Sequence, residues 1–193
     1  MATVKLDDRI AQILFSSDAI RARVRELGRE ISHDYAPGGR GRDGKARPPV
    51  LICVLHGALV FMADLVREIP SEIEYDFICV ASYGAGTSPS GTLRLVRDIE
   101  RSIEGRDVLI VEDIIDTGRT IEHLKRLFDG RCAASVRVCT LVDKAVRREV
   151  EVDIAYTGFV LNEDHFIVGY GMDYAELYRN LPYIGVLKPA FIR

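Results

Sequence analysis

Continuous apolar runs of strand length recur along the chain, and helical segments lie between them. Strands that are buried on both faces have such unbroken runs, and they belong to parallel sheets that helices cover on both sides. Strands are expected at Val50–Leu55, Ile73–Tyr83, Val108–Ile114 and Val136–Val142, and helices at residues 17–35, after Ala58 to about Ile69, and at Thr120–Phe128. The sequence therefore predicts an α/β fold with a mostly parallel, twisted sheet flanked by helices.

The remaining segments are shorter. A ribbon strand is expected at Thr92–Val96, and short strand-like pieces separated by glycines follow from about Ile154. Residues 36–49 form a loop rich in Pro, Gly and Arg, which suits either a plain surface connection or a contact for an anionic partner. A chain of 193 residues fits one domain.

Polar or glycine-bearing pairs lie at the ends of four predicted strands. They are His56-Gly57, Ser82-Tyr83, Glu112-Asp113 and Asp143-Lys144. Parallel strands end at one rim of the sheet, and ligands in such folds bind outside the carboxyl ends of the strands. We therefore expect these four pairs to surround one ligand site.

The run Val108–Thr120 has the most specific chemistry. Its two adjacent acids, Glu112 and Asp113, would each cost several kcal/mol if they were buried as unpaired ions. They are therefore expected where the strand leaves the core, facing solvent, a metal ion or sugar hydroxyls, although taken alone they fit helix capping or exposure equally well. The segment from Asp116 to Thr120 is expected to turn into a helix whose free amides can bind a phosphate.

This run resembles the phosphoribosyl pyrophosphate (PRPP) binding motif of the type I phosphoribosyltransferases. The similarity extends from about residue 10 to Pro189. Leu55-His56-Gly57-Ala58 is similar to the pyrophosphate loop of the purine members, some of which have Lys-Gly-Gly there, and a non-proline cis peptide would lie at Leu55–His56. Ser82-Tyr83, followed by the Gly/Ser/Pro segment 84–91, resembles their mobile catalytic loop.

Two further segments resemble the purine-binding side of the same family. Leu141-Val142-Asp143-Lys144 is similar to the strand with the purine-binding lysine. Residues Val168–Tyr174 and Tyr178–Gly185 resemble the C-terminal segment of the hypoxanthine-guanine branch. The fold implied is a single domain, residues 1–193, with a small hood built from the N-terminal segment and from about 154–193.

The resemblance implies roles for the residues that would bind PRPP, the phosphoribosyl donor. Glu112 and Asp113 would hold the ribose hydroxyls near Mg²⁺, and Asp173 would meet a second magnesium ion. The 5′-phosphate would be bound by Asp116, Thr117, Gly118, Arg119 and Thr120. Asp116 would also be the catalytic base that accepts the N7 proton of the purine. The pyrophosphate and the closing loop would involve Gly57, Ser82, Tyr83 and Arg179.

The resemblance also implies how the base is recognised. Lys144 would donate to the 6-oxo group of hypoxanthine or guanine, and adenine would be rejected because it presents an amino group there. An aromatic ring at Tyr156, with Thr157 beside it, would stack on the base. Asp173 would read the base edge through its backbone.

The activity implied is transfer of the phosphoribosyl group of PRPP to N9 of hypoxanthine or guanine, which yields IMP or GMP and pyrophosphate. A xanthine-preferring transferase and a non-catalytic PRPP-sensing regulator are the alternatives. A nicotinamide-dependent dehydrogenase is disfavoured because the glycines after Tyr83 lack the third glycine of the dinucleotide motif and precede no helical run.

The composition limits which classes of partner the protein is expected to bind. A net charge of −3 indicates no broad basic surface for nucleic acid, and no apolar run is long enough to span a membrane. The four cysteines form no C-x-x-C pair and the four histidines show no zinc-site spacing. With no apolar secretory signal, reduced cysteines suggest a cytoplasmic protein. The family implies a homodimer or homotetramer.

Overall fold

The computed structural model describes residues 6–35, 39–40, 46–82 and 93–192. Three α-helices and eleven strands lie in these ranges. The helices are α1 (Ser17–Tyr35), α2 (Leu59–Leu65) and α3 (Arg119–Gly130). The strands are β1 (Ile10–Phe15), β2 (Gly39–Arg40), β3 (Ala46–Arg47), β4 (Val50–Leu55), β5 (Glu74–Ser82), β6 (Leu93–Arg97), β7 (Asp107–Ile115), β8 (Ser135–Asp143), β9 (Tyr156–Val160), β10 (Ile167–Val168) and β11 (Ile184–Leu187).

The central sheet has six strands in the order β6-β5-β4-β7-β8-β9. All neighbours from β5 to β9 run parallel, and β6 pairs antiparallel at one edge. The predicted α/β fold is therefore confirmed. The parallel strands direct all their carboxyl ends to the same rim.

Helices cover both faces of this sheet. Side chains of β4 and β7 alternate between the faces, as expected for strands that are buried on both sides. Leu51 and Leu109 pack with α1 and α2, whereas Ile52 and Ile110 pack with α3. The unbroken apolar runs thus supply two cores, one on each side of the sheet.

A second, small sheet joins the two ends of the chain. Its three strands have the order β1-β11-β10, all antiparallel. The segment that follows about residue 154 was expected to belong to the hood, but β9 pairs with β8 in the central sheet instead. The strand β9 therefore belongs to the central sheet and not to the hood, because its backbone pairs with the edge of β8 that would otherwise be open.

The helix predicted to run from Ala58 to about Ile69 is shorter than expected. The helix after Ala58 ends at Leu65 and continues as a 3-10 turn over Val66–Glu68. The four cysteines form no disulfide bond. Among the described ranges, no helix is both long and apolar enough to cross a membrane.

Candidate active site

The site begins where the pairing between two central strands stops. The pairing of β4 with β7 ends at Cys53 and Val111, whereas β7 stays paired with β8 as far as Ile115. The edge of β7 that faces β4 is therefore free after Val111, next to the turn that follows Leu55. A cleft of about 320 Å³ opens there, and it is lined by Val54, Leu55, His56, Gly57, Val80, Glu112, Asp113, Ile114, Thr120, Asp173 and Arg179.

Two buried carboxylates form the floor of this cleft. Glu112 and Asp113 are only 7% and 8% exposed. Burial raises the pKa of Glu112 well above its ordinary value, and the neighbouring Asp113 charge raises it further. Burial also raises the pKa of Asp113. These acids lie deeper than the sequence suggested, in a place where a cation or hydroxyl donors would favour the ionised pair.

Gly57 is required by the position of Asp113. A Cβ atom on Gly57 would lie 1.9 Å from Asp113 Oδ2, so a larger residue would displace the carboxylate. The peptide bond between Leu55 and His56 is cis. Gly57 thus lies in the cleft beside the two acids, and His56 also lines the cleft.

The start of α3 presents free backbone amides to the same rim. Gly118 caps the helix with a φ of 86°, and no side chain caps the amides. Within the described ranges, no protein group accepts a hydrogen bond from the amide of Gly118 or Thr120, and the Arg119 amide has only a 3.5 Å contact with the hydroxyl of Thr117. Such a helix start favours a phosphate through its amides and its dipole.

Arg119 contributes to this loop through its backbone. Its side chain points to Glu149, with Nε 2.7 Å from the carboxylate, and the pair is about half exposed. The phosphate site therefore has no side-chain cation from Arg119.

Asp116 has an unsatisfied carboxylate oxygen. Its Oδ1 is buried and has no hydrogen-bond partner in the described structure. Its Oδ2 lies 3.5 Å from a guanidinium nitrogen of Arg147. A buried acceptor without a donor costs about 1–3 kcal/mol, so this atom is poised to accept a proton or a hydrogen bond from a ligand.

Lys144 is held at the end of β8, where the described residues occupy two of its three donor positions. Its Nζ donates to the carbonyl of His165 at 3.0 Å and forms an ion pair with Asp164 at 2.6 Å. The residue is 5% exposed. An ammonium group has three donors, so the third remains for a ligand acceptor.

The expectation that the Tyr156 ring stacks on the base is wrong. The Tyr156 ring is 3% exposed in the core next to α1, and its hydroxyl donates to Asp34 at 2.8 Å. Burial raises its pKa far above the ordinary range. Thr157 follows on β9, where its carbonyl accepts a hydrogen bond from Arg23. The buried Tyr156 ring is therefore not available to stack on a base, and the role of Thr157 stays a prediction.

Phe166 is an exposed aromatic residue near Lys144 for which the sequence predicts no role. It directly follows His165, whose carbonyl binds Lys144, and its ring is 42% exposed. The ring packs edge-on against Tyr174 with 5.3 Å between centroids. The signal available in the sequence was an aromatic residue outside the predicted buried strands. Tyr156, in contrast, lies within a run that pairs as a buried strand.

Asp173 and Arg179 close the cleft from the C-terminal segment. Arg179 donates to the carbonyl of Gly171 at 2.8 Å and lies 2.9 Å from Asp173 Oδ1. The positive charge of Arg179 also favours the ionised form of Asp113. This segment contains four non-glycine residues with positive φ, which are Tyr170, Ala175, Glu176 and Tyr178. Such strain commonly accompanies sites where a side chain must be aimed.

Part of the predicted site cannot be placed. Ser82 is the last residue of β5, next to β4, so its backbone reaches the expected rim. Tyr83 and the segment 84–91 lie outside the described residues, as does most of the 36–49 loop. Within the described ranges, no group of three or more His, Cys, Asp or Glu side chains can hold a metal by itself.

Comparisons with known proteins agree with this geometry. The model of the phosphoribosyl transferase domain matches residues 15–175. The hypoxanthine-guanine phosphoribosyltransferase of Streptococcus thermophilus is 47% identical over 184 residues, which cover 95% of this chain and 96% of that protein. The crystal structure of a hypoxanthine phosphoribosyltransferase from Staphylococcus aureus has a TM-score of 0.88 at 37% identity and 98% coverage of both chains.

A longer relative also matches. The bifunctional protein TilS/HprT of Listeria monocytogenes is 47% identical over 180 residues, or 93% of this chain. The chain spans 26% of the length of that relative.

Proposed function

The chain belongs to the phosphoribosyl transferase family, and from that premise we propose that it transfers the phosphoribosyl group of PRPP to N9 of hypoxanthine or guanine. The products are IMP or GMP and pyrophosphate, so the proposed role is purine salvage. The family resemblance noted in the sequence is confirmed by this membership. The relatives named above give no support to a regulator or to a xanthine-preferring enzyme.

One juxtaposition carries the proposal. The buried acids Glu112 and Asp113, whose pKa values are raised, share a rim with the uncapped start of α3. The acids suit the ribose diol, and the amides of Gly118 to Thr120 suit the 5′-phosphate. One ligand with a diol and a phosphate, such as PRPP, satisfies both groups.

Magnesium fits the same acids. Mg²⁺ is usually bound through one or two carboxylates together with substrate phosphates, and the described residues of the cleft likewise form no complete protein cage. Glu112 and Asp113 would hold it beside the ribose, and Asp173 lies across the cleft, where its Oδ1 already pairs with Arg179. When bound, the metal supplies positive charge to the departing pyrophosphate.

The base site lies between Lys144 and Phe166. The remaining donor of Lys144 would bind the 6-oxo group, which adenine lacks. Phe166 would stack on the ring, since base–aromatic stacking provides about 1–3 kcal/mol. Asp116 Oδ1 would accept the proton of N7, which makes the purine a better nucleophile toward the sugar carbon.

The surrounding residues would neutralise the charge of the leaving pyrophosphate and exclude water from the site. Arg179 would neutralise the leaving pyrophosphate with its guanidinium fork. Ser82, Tyr83 and segment 84–91 would close over the site and exclude water, and the sheet of β1, β10 and β11 would act as the hood. A cytoplasmic homodimer or homotetramer remains the prediction for the protein in the cell.

The test is an assay of the purified protein. It contains magnesium, PRPP and one base at a time, namely hypoxanthine, guanine, xanthine and adenine, and it measures nucleotide by chromatography. We expect IMP and GMP, and no AMP. Faster formation of XMP would favour the xanthine-preferring alternative, and the absence of every nucleotide would contradict the proposed function.

A further inference from the structure

A partly buried arginine joins the two strand ends that carry the catalytic and the base-binding side chains. Arg148 Nε donates to the carbonyl of Asp116 at 3.0 Å, and Nη2 donates to the carbonyl of Ile115 at 3.3 Å. The same Nη2 binds the carboxylate of Asp143, the residue before Lys144. The Arg148 side chain is 17% exposed. One guanidinium therefore contacts the ends of both β7 and β8.

We infer that Arg148 is a positioning residue that fixes the direction of Asp116 relative to Lys144. This inference rests on the proposed function, in which Asp116 takes the N7 proton while Lys144 binds the 6-oxo group of the same purine. The two groups can act on one ring only if the distance between their strand ends is constant. A planar guanidinium has several donors in fixed directions, so it can hold both backbone carbonyls and the carboxylate at once.

Other contacts hold the phosphate loop, so the contribution of Arg148 can be separated from theirs. The amides of Glu149 and Val150 both donate to the carbonyl of Thr117, and a Cβ atom on Gly118 would lie 2.5 Å from the carbonyl of Val150. These contacts hold the phosphate loop independently of the guanidinium. Loss of Arg148 should therefore disturb the orientation of Asp116 more than the binding of the 5′-phosphate.

The opposite end of the sheet supplies a matched control. Arg106 is 12% exposed, and its Nη2 donates to the carbonyl of Pro48 at 2.7 Å and to the carboxylate of Glu74 at 2.9 Å. It thus makes the same kind of link, one guanidinium holding a backbone carbonyl and a carboxylate, but far from the cleft. A purely structural arginine should behave like Arg106.

The experiment compares Arg148→Ala, Arg148→Lys and Arg106→Ala with the unmodified protein in kcat, KM and thermal unfolding. For Arg148→Ala we expect kcat to fall about 10–100-fold while KM for PRPP changes less than about threefold, because small misplacements of a catalytic group are costly. Arg148→Lys keeps the charge but not the fork, so it should recover less than about a third of the lost kcat. Arg106→Ala should keep kcat within about threefold despite a lower Tm.

Other outcomes are decisive. If both Arg148 variants keep kcat within about threefold of the Arg106 control, the positioning role is wrong. Full recovery of kcat by Arg148→Lys would also overturn it, since charge alone would then suffice. If Arg148→Ala does not fold, Arg148→Lys decides the matter. An unmodified protein without activity would instead contradict the proposed function itself.

Discussion

The two ends of the central sheet treat their carboxylates in opposite ways. At the amino end, Glu74 accepts hydrogen bonds from Arg106 and Arg101, and these contacts hold its pKa below the ordinary range. At the carboxyl end, the pKa values of Glu112 and Asp113 are raised by burial. At the amino end the protein itself satisfies Glu74, whereas at the carboxyl end Glu112 and Asp113 are left for a ligand.

A buried acid on the amino side shows the same contrast. Asp76 is 6% exposed, and its carboxylate accepts hydrogen bonds from the backbone amides of Phe77, Glu100 and Arg101. By contrast, Asp116 Oδ1 at the carboxyl end has no partner within the described structure. Burial alone thus does not distinguish a structural acid from a functional one. The distinguishing observation is whether the protein itself supplies the donors.

The largest effect should come from Asp116→Asn. An amide cannot take the N7 proton, so kcat should fall by on the order of 10²–10⁴ while KM for PRPP changes little. Steady-state kinetics with hypoxanthine measures both constants, and Asp98→Asn is the control, because that acid is bound by Arg131 at the other end. A kcat that stays within about threefold would remove Asp116 as the base.

Lys144→Ala should have the next largest effect. Loss of a charged donor to the 6-oxo group costs about 1.5–3 kcal/mol, so kcat/KM for hypoxanthine and guanine should fall about 10–150-fold. Lys188 provides the control, because its Nζ also donates to a backbone carbonyl, that of Asp8, in another part of the molecule. Equal kcat/KM values for Lys144→Ala and Lys188→Ala would reject the base-binding role of Lys144.

Phe166→Ala should weaken base binding, whereas Tyr156→Phe should not. Loss of stacking predicts a rise in KM for the purine of about 5–150-fold for Phe166→Ala. Tyr156→Phe removes the hydrogen bond that the hydroxyl donates to Asp34 and the one that it accepts from Arg137, and neither partner lines the cleft, so KM should change less than about twofold. The two KM values are measured side by side. The reverse ranking would restore Tyr156 as the stacking residue.

Arg119→Ala should have the smallest effect. Its guanidinium pairs with Glu149 at the surface, and such exposed pairs contribute about 0–1 kcal/mol. The phosphate should meet the backbone amide, which the substitution keeps, so KM for PRPP should change less than about twofold in initial-rate measurements. A rise of tenfold would mean that the side chain turns toward the phosphate.

Much of the fold could be predicted because its signal is local. The unbroken apolar run Val50–Leu55 forms a strand with those bounds, and the helix predicted at residues 17–35 is observed over the same residues. The acids at 112 and 113 were also placed correctly at the rim of the sheet. Their depth could not be predicted, because it depends on where β4 stops pairing with β7.

The errors have a different origin. Tyr156 is fixed by Asp34, which lies 122 residues earlier, and no local pattern reports such a contact. Arg148 gave no signal either, because its neighbour Arg147 is chemically identical and only the folded chain shows which of them reaches both strand ends. Contacts between distant segments therefore decide which of several similar side chains serves the site.

The central claim is that the acids at the carboxyl end are kept at a cost to stability for the sake of substrate binding. The contribution of Glu112 to the free energy of unfolding should fall as pH rises above 4.5, its ordinary pKa, because the folded state retains that proton longer than the unfolded state. Glu112→Gln removes this loss, since an amide can donate to Asp113. Glu74→Gln weakens the contacts to arginine instead.

The decisive measurement is therefore the Tm of Glu112→Gln and Glu74→Gln at pH 7.5 and at pH 4, together with their kcat/KM at pH 7.5. At pH 7.5 we predict that Glu112→Gln gains roughly 2–4 °C, the effect of about 1 kcal/mol, and loses most activity, whereas Glu74→Gln loses a similar amount of Tm and keeps its activity. The gain of Glu112→Gln should largely vanish at pH 4. A Glu112→Gln protein that is less stable than the unmodified protein at pH 7.5, or that remains fully active, would contradict the account.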